Sequence, residues 1–228
     1  MKPYDFDDDL QIGALSDGRL RVRVLPWPSL AVVIGRGGKP SLELNTENIA
    51  NDEVPVYRRP GGGCAVVLDP GNVIVSVALP LPGIGGIKSA FSGLSNWLIS
   101  ALADCGVPDV RQQGVSDLAI PHSAAPGSSS NTYLKIGGSC IYRTRDLLYY
   151  STTLLVDPEL DLMDRYLPYP PREPDYRAGR SHRHFMGSLQ KMGLVGSAEE
   201  LARALESKLE SNSPGGSTGE DAGRTRPG

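Results

Sequence analysis

Residues 58–72, Arg58-Arg59-Pro60-Gly61-Gly62-Gly63-Cys64-Ala65-Val66-Val67-Leu68-Asp69-Pro70-Gly71-Asn72, constrain the chain more than any other stretch. Two adjacent arginines run into three consecutive glycines. Strand-like sequence resumes at 65–68 and, after the turn Asp69-Pro70-Gly71-Asn72, at 73–79. Glycine reaches positive φ and lets a backbone approach a ligand closely. Successive N–H groups in such a loop can cradle anionic oxygens, and arginine offers phosphate or carboxylate a bidentate partner. The same residues also suit a wide hairpin loop with surface arginines. The segment is not a P-loop, because no Gly-Lys-Ser/Thr follows. It is not a dinucleotide-binding turn either, because a strand rather than a helix comes next.

The flanking sequence reads as alternating strands and helices. Leu20, Val22 and Val24 alternate with Arg19, Arg21 and Arg23, the period of a half-buried strand, and the apolar run 30–34 ends at Gly35 as a buried strand would. A short helix is expected near 45–51. A longer one is expected over 87–106, with Phe91, Leu94, Leu98, Ile99 and Leu102 on one side and Gly106 as its stop. Residues 121–132 read as a small-residue loop. After it come a strand at 133–136, a Gly-Gly-Ser turn, and a second strand at 140–143. Residues 146–156 are strand-rich, and 157–167 form a helix opened by Pro158. Ser197 caps a final helix with Glu200 completing a capping box. The tail 211–228 has one alanine as its only apolar residue and is expected to be disordered.

The chain of 228 residues is long enough to bury a sizeable core, with 39% hydrophobic and 21% charged residues. Its formal net charge of −3 gives no whole-protein attraction to nucleic acid, so any polyanion site must be local. No run of about 18 apolar residues suggests a membrane span, and the acidic start MKPYDFDDDL lacks a secretion-signal pattern. The three cysteines, Cys64, Cys105 and Cys140, share no metal-ligand spacing, and a reducing cytoplasm is the simplest compartment.

A second segment, Lys135-Ile136-Gly137-Gly138-Ser139-Cys140, places a cation ahead of adjacent glycines. Acyl-adenylate chemistry needs a fixed cation where negative charge builds between carboxylate and α-phosphate; a solvated lysine beside a β-turn is the plainer alternative. Taken together, RRPGGGCAVVLDPGN, then VSDLAI, then KIGGSC, then Thr153-Leu154-Leu155 resemble the catalytic domain of lipoate-protein ligases, of the biotin/lipoate ligase superfamily. Order and approximate spacing agree over residues 20–190. Tyr176-Arg177-Ala178-Gly179-Arg180-Ser181-His182 resembles one branch of the same ligases.

The resemblance implies an α+β fold, a mixed β-sheet with helices packed mainly on one side, with a catalytic domain over 1–210. It implies an enzyme that uses ATP with Mg²⁺ to convert lipoate to lipoyl-AMP and passes the lipoyl group to a lysine of a carrier protein. By position, Arg58 or Arg59 with Gly61, Gly62 and Gly63 would wrap the adenylate, and Lys135 would bridge the acyl oxygen and the α-phosphate. Gly137 and Gly138 would border that site, Asn72 would shape the pocket, and Asp117 would lie near ATP and its Mg²⁺. The chain departs from the family pattern at Gly61 (often serine), Cys64 (often a third glycine), Ser116 (usually asparagine), and Tyr150 and Ser151 (often histidines). The end of the ordered sequence near residue 210 is expected to leave no room for the accessory domain of long ligases; either this is a compact, self-sufficient branch, or a separate protein completes it.

Other readings follow from other residues. An octanoyl or lipoyl transferase would carry the acyl group on a cysteine. Cys140 occupies the family's alanine position, however, and suits packing better than nucleophilic attack. A non-catalytic lipoate-binding subunit is a third class. The stretch with Arg172, Arg177, Arg180 and Arg183 is the densest in basic residues and would suit an acidic carrier, unless Arg177 and Arg180 pair internally with Glu173 and Asp175.

Overall fold

The computed structural model describes residues 1–83, 85–123 and 131–212. In chain order the elements are β1 (Lys2–Pro3), α1 (Asp8–Asp17), β2 (Arg21–Pro26), β3 (Ala31–Ile34), α2 (Pro40–Glu43), α3 (Thr46–Asn51), β4 (Val56–Arg58), β5 (Val66–Leu68) and β6 (Asn72–Pro80). There follow α4 (Ile87–Asp104), β7 (Arg111–Gln113), β8 (Asp117–Ser123), β9 (Asn131–Arg143), β10 (Leu147–Leu155), α5 (Leu160–Tyr166), α6 (His182–Phe185) and α7 (Ala198–Ser211).

Two sheets face each other. The larger has six strands in the order β2-β6-β10-β9-β8-β7, all antiparallel. The smaller has the order β1-β4-β3-β5 and carries the parallel pairings, β1 with β4 and β4 with β3. The fold is therefore α+β with its mixed character in the small sheet.

One face of the large sheet is apolar and covered by α4 and α7. Val73, Val75 and Val77 of β6 and Leu148, Tyr150 and Leu154 of β10 pack there against Leu94, Leu98 and Leu102 of α4 and Leu201, Leu205 and Leu209 of α7. The helical positions recur at spacings of four or eight residues, which keeps them on one stripe. Each such leucine contributes about 1.5–3 kcal/mol on burial. Ser197 starts α7 by accepting a hydrogen bond from Glu200 N at 3.1 Å, and Gly106 follows α4 with φ 84°.

The opposite face meets α1 and the small sheet. Helix α1 has almost no amphipathic signal, and its burial rests on Leu10 and Ala14 against Ala78 and Leu147. The segment before it is fastened by aromatics, Tyr4 and Phe6 packing with Trp27 and Tyr57. Asp7 is buried there and accepts from Ser76 Oγ at 2.8 Å and Tyr149 OH at 2.5 Å, with Arg23 Nη1 at 3.3 Å. That network meets the requirement that a buried charge be paired.

Two expectations change. The Gly-Gly-Ser turn at 137–139 does not exist: β9 runs unbroken, because Leu118 pairs with Gly137 while Ala119 pairs with Lys135. Ile136 is the extra residue of a β-bulge, a feature that re-aims neighbouring side chains. The loop expected at 121–132 is strand at both ends, and its centre, 124–130, lies outside the described residues. Of the tail expected to be disordered, 211–212 close α7, and 213–228 likewise lie outside.

Candidate active site

Between the two sheets lies a cleft of about 870 Å³. Its floor is the face of the large sheet opposite α4 and α7, with Gly138 and Cys140 from β9 beside Ser151 and Thr153 from β10. Its roof is the glycine loop after β4.

The bulge decides what Lys135 does. In a regular strand residues 135 and 138 point to opposite faces. Here Ile136 turns into the apolar core at 0% exposure, and Lys135 joins Gly138 on the cleft side. A Cβ on Gly138 would lie 3.2 Å from Lys135 Nζ, so glycine leaves room for the ammonium. Lys135 Nζ is 2.7 Å from Asp117 Oδ1, and Tyr176 OH donates to Asp117 Oδ2 at 3.0 Å. Burial, reinforced by Asp117, holds the Tyr176 phenol protonated far above its ordinary range. Asp117 thus orients Lys135 from one side and is itself oriented from the other.

The roof is built by Arg59. Its guanidinium donates to Gly62 O and Cys64 O, each at 2.8 Å, and to Val33 O at 3.3 Å, curling the loop onto the small sheet. Gly63 takes φ 94°, a conformation suited to glycine. Gly35 packs so closely that a Cβ on it would fall 2.1 Å from Gly63 O. Arg58, the adjacent residue, points elsewhere. It donates to Gly35 O, Arg36 O and Gly38 O and lies outside the cleft lining. Asn72 also lies outside it: fully buried, it accepts from Asp69 N at 2.7 Å and fixes the turn between β5 and β6. Arg59, Gly61, Gly62, Gly63, Asp117, Lys135, Gly137 and Gly138 do converge on the cleft.

Three further cleft residues were not read from the sequence as site residues. Tyr176, Arg177 and His182 follow a proline-rich loop and reach Lys135 only through the fold. The sole signal was the Tyr-Arg-Ala-Gly-Arg-Ser-His resemblance. His182 Nδ1 is 3.0 Å from Asp164 Oδ1. Burial, seconded by the charge of Arg177, pushes its pKa below the ordinary histidine value.

Of the expected basic carrier surface, Arg172 and Arg183 stay exposed, while Arg177 and Arg180 turn inward and Arg177 pairs with Glu173 at 3.6 Å. Arg177 is buried, and Arg180 donates to the carbonyls of Arg177, Tyr176, Tyr133 and His184. Arg180 ties the segment to β9 through Tyr133 O. Arg183 remains exposed and pairs with Asp161.

Cys140 and Cys64 both line the cleft. Burial pushes the Cys140 thiol up, against the opposing pull of Arg59. Its Sγ fills the space a Gly61 Cβ would need, 2.8 Å away. As for a metal ion, both carboxylate oxygens of Asp117 are already engaged. No cluster of three or more His, Cys, Asp or Glu forms among the described residues. Nor is any helix among the described residues long and apolar enough to cross a membrane.

Comparison with known proteins identifies relatives of the chain. The family model described as "Lipoyl protein ligase A/B catalytic domain" matches residues 18–210. A probable lipoate-protein ligase A of Mycoplasma genitalium is 29% identical over 136 residues, 60% of this chain and 37% of that protein, so the chain spans little more than a third of that relative's length. The bi-partite lipoate protein ligase of Thermoplasma acidophilum, solved in a study with its E2 lipoyl domain, superposes with a TM-score of 0.71 at 20% identity, covering 92% of this chain and 80% of that one. A lipoate-protein ligase A bound with ATP gives 0.66 at 20% identity, over 85% of this chain and 72% of that one. A match over most of the chain, on a fold that sets a lysine–aspartate pair beneath a glycine roof, makes the chain a member of the lipoyl protein ligase A/B catalytic-domain family.

Proposed function

We propose that the chain is a lipoate-protein ligase that activates lipoate with ATP as lipoyl-AMP and transfers the lipoyl group to a lysine of a carrier protein. The observation that carries this reading is Lys135, turned into the cleft by the bulge and fixed by Asp117 opposite the Arg59-held glycine loop. In the first step a carboxylate oxygen of lipoate attacks the α-phosphorus, an acyl–oxygen–phosphorus bond forms, and pyrophosphate leaves. In the second, the carrier amine attacks the acyl carbon, AMP leaves, and the amine proton passes to solvent. Neither step needs a covalent enzyme intermediate, so positioning and electrostatics carry the rate. Lys135 would stabilise charge on the acyl and phosphoryl oxygens, and the glycine roof would let backbone close over the adenylate. Mg²⁺ would supply charge neutralisation on the ATP phosphates. Asp117, bonded to Lys135 and Tyr176, would face it with the remaining lone pairs of its carboxylate.

The relatives support the same reading: one is reported with its E2 lipoyl domain and another with ATP. The test is to incubate the full chain with lipoate and ATP, follow pyrophosphate release, and detect lipoyl-AMP by mass spectrometry. A lipoyl domain is then added. Lipoyl-AMP followed by a lipoylated lysine is expected. A stable acyl thioester on Cys140, formed without ATP by exchange with an acyl-carrier thioester whose thiol leaves, would instead make the protein a transferase. The raised pKa of that thiol argues against this second reading.

A further inference from the structure

The segment after α5 carries a cation whose placement the interior does not explain. Arg177 is only 3% exposed, yet it lines the cleft. Its guanidinium is held over the rings of Tyr169 at 4.8 Å and Phe185 at 5.0 Å. Among the described residues its hydrogen bonding is accounted for by Nε, which donates to Arg180 O at 2.8 Å. Nη2 is buried with no partner. Glu173 forms an ion pair with Nε at 3.6 Å, longer than a hydrogen bond, and its carboxylate also accepts from Tyr169 OH. Natural proteins seldom leave a buried guanidinium donor unpaired, and each such case calls for an explanation. Here aromatic packing, a backbone carbonyl and the Glu173 carboxylate fix the fork, while Nη2 lacks an acceptor.

The surroundings say what would satisfy it. His182 feels the charges of both Arg177 and Lys135, and all three line one cleft. Lys135 is already balanced by Asp117. Arg177 is paired at Nε alone, with the partly exposed Glu173, and keeps a buried Nη2 without an acceptor among the described residues; arginine's fork matches phosphate oxygens bidentately.

The geometry points to Arg177 as a binding residue for the terminal phosphates of a nucleoside triphosphate, beyond the α-phosphate region of Lys135. This rests on the ligase reading for the choice of nucleotide, though not for the anion itself. The group held there leaves as pyrophosphate, so the same site should bind inorganic pyrophosphate alone.

The experiment is a titration of inorganic pyrophosphate onto the full chain, followed by NMR of the histidine rings. The chain has three histidines, His122, His182 and His184, so His182 reports next to Arg177 while His122 serves as an internal control. The expected result is a saturable shift at His182 and none at His122. In Arg177→Gln the half-saturating concentration should rise about tenfold, the usual cost of a lost charge-assisted hydrogen bond. The KM for ATP should rise likewise, while that for lipoate should not. No saturable shift at His182 in the wild type, or an unchanged affinity in Arg177→Gln, would overturn the inference. Should that variant fail to fold, guanidinium-labelled wild type decides, because the Arg177 Nη signals must move together with those of His182. Adenylate formation without the pyrophosphate shift would sink this inference and leave the ligase reading intact. The shift without adenylate formation would do the reverse.

Discussion

Strand β9 presents two surfaces with opposite tasks. On one, Ile136 and Ile141 join the apolar layer under α4 and α7. On the other, Lys135, Gly138 and Cys140 floor the cleft. The first surface derives its strength from area, the second from a few polar contacts in fixed places. The two are interlocked by one inserted residue. Without the bulge, period-two alternation would bury the lysine or expose the isoleucine. Stability and chemistry therefore lie on the same strand but not in the same residues.

Substitutions on the two surfaces should separate these properties, and the largest effects come first. Lys135→Ala should lower adenylate formation by ~10²–10³, as loss of a preorganised charge contact commonly does, while thermal unfolding moves little. Leu98→Ala, beneath the other surface, should do the opposite. It removes a side chain with 1% exposure and should cost about 2–5 kcal/mol in urea denaturation, with pyrophosphate release per folded molecule unchanged. If Leu98→Ala abolished turnover at full folding, or Lys135→Ala unfolded the chain, the division would fail.

The next effect sharpens the comparison within the cleft. Gly61→Ala must find room where Cys140 Sγ already sits, 2.8 Å from the new Cβ. Overpacking of this kind costs about 1–3 kcal/mol. Adding Cys140→Ala should restore most of the loss, and a double-mutant cycle showing no coupling would refute the contact. Cys140→Ser alone should retain activity within a few-fold, since a packing role tolerates the hydroxyl. A dead serine variant would restore the thioester reading.

The smallest effect lies away from both surfaces. Hydrogen bonds from Arg165, then Tyr166, hold the Asp52 carboxyl down at about 2. A depressed carboxylate stabilises the fold above its ordinary titration range and loses that contribution as pH falls from about 4 toward 2. The difference in melting temperature between wild type and Asp52→Asn should be small at pH 7, because exposed pairs contribute little. It should vanish toward pH 2, and a difference that persists there would exclude the ion pair as its source.

Much of the scaffold was legible because it is local. The alternation of Leu20, Val22 and Val24 marks β2, the stripe through Leu94, Leu98 and Leu102 marks α4, and Ser197 with Glu200 marks the start of α7. Helix α1 was missed because its sequence carries no amphipathic period. Its place depends on Asp7 reaching Ser76 and Tyr149, partners distant in the chain. In the site, the glycine run and the lysine could be picked out as residue types, because positive φ and fixed charge are properties of single positions.

The sequence by itself determined the two chemistry-bearing segments, the apolar faces that bring their strands into one domain, and the resemblance that family membership bears out. The tertiary structure alone decided which arginine serves. Arg58 and Arg59 are neighbours on a strand end, so they point opposite ways, and only the position of the small sheet against the loop sends Arg59 to the cleft. It alone replaced an expected turn by a bulge, since register is a property of two strands. It alone gathered Tyr176, Arg177 and His182 beside Lys135. Electrostatic partnership acts over ångströms of space, whereas sequence reports distance only along the chain.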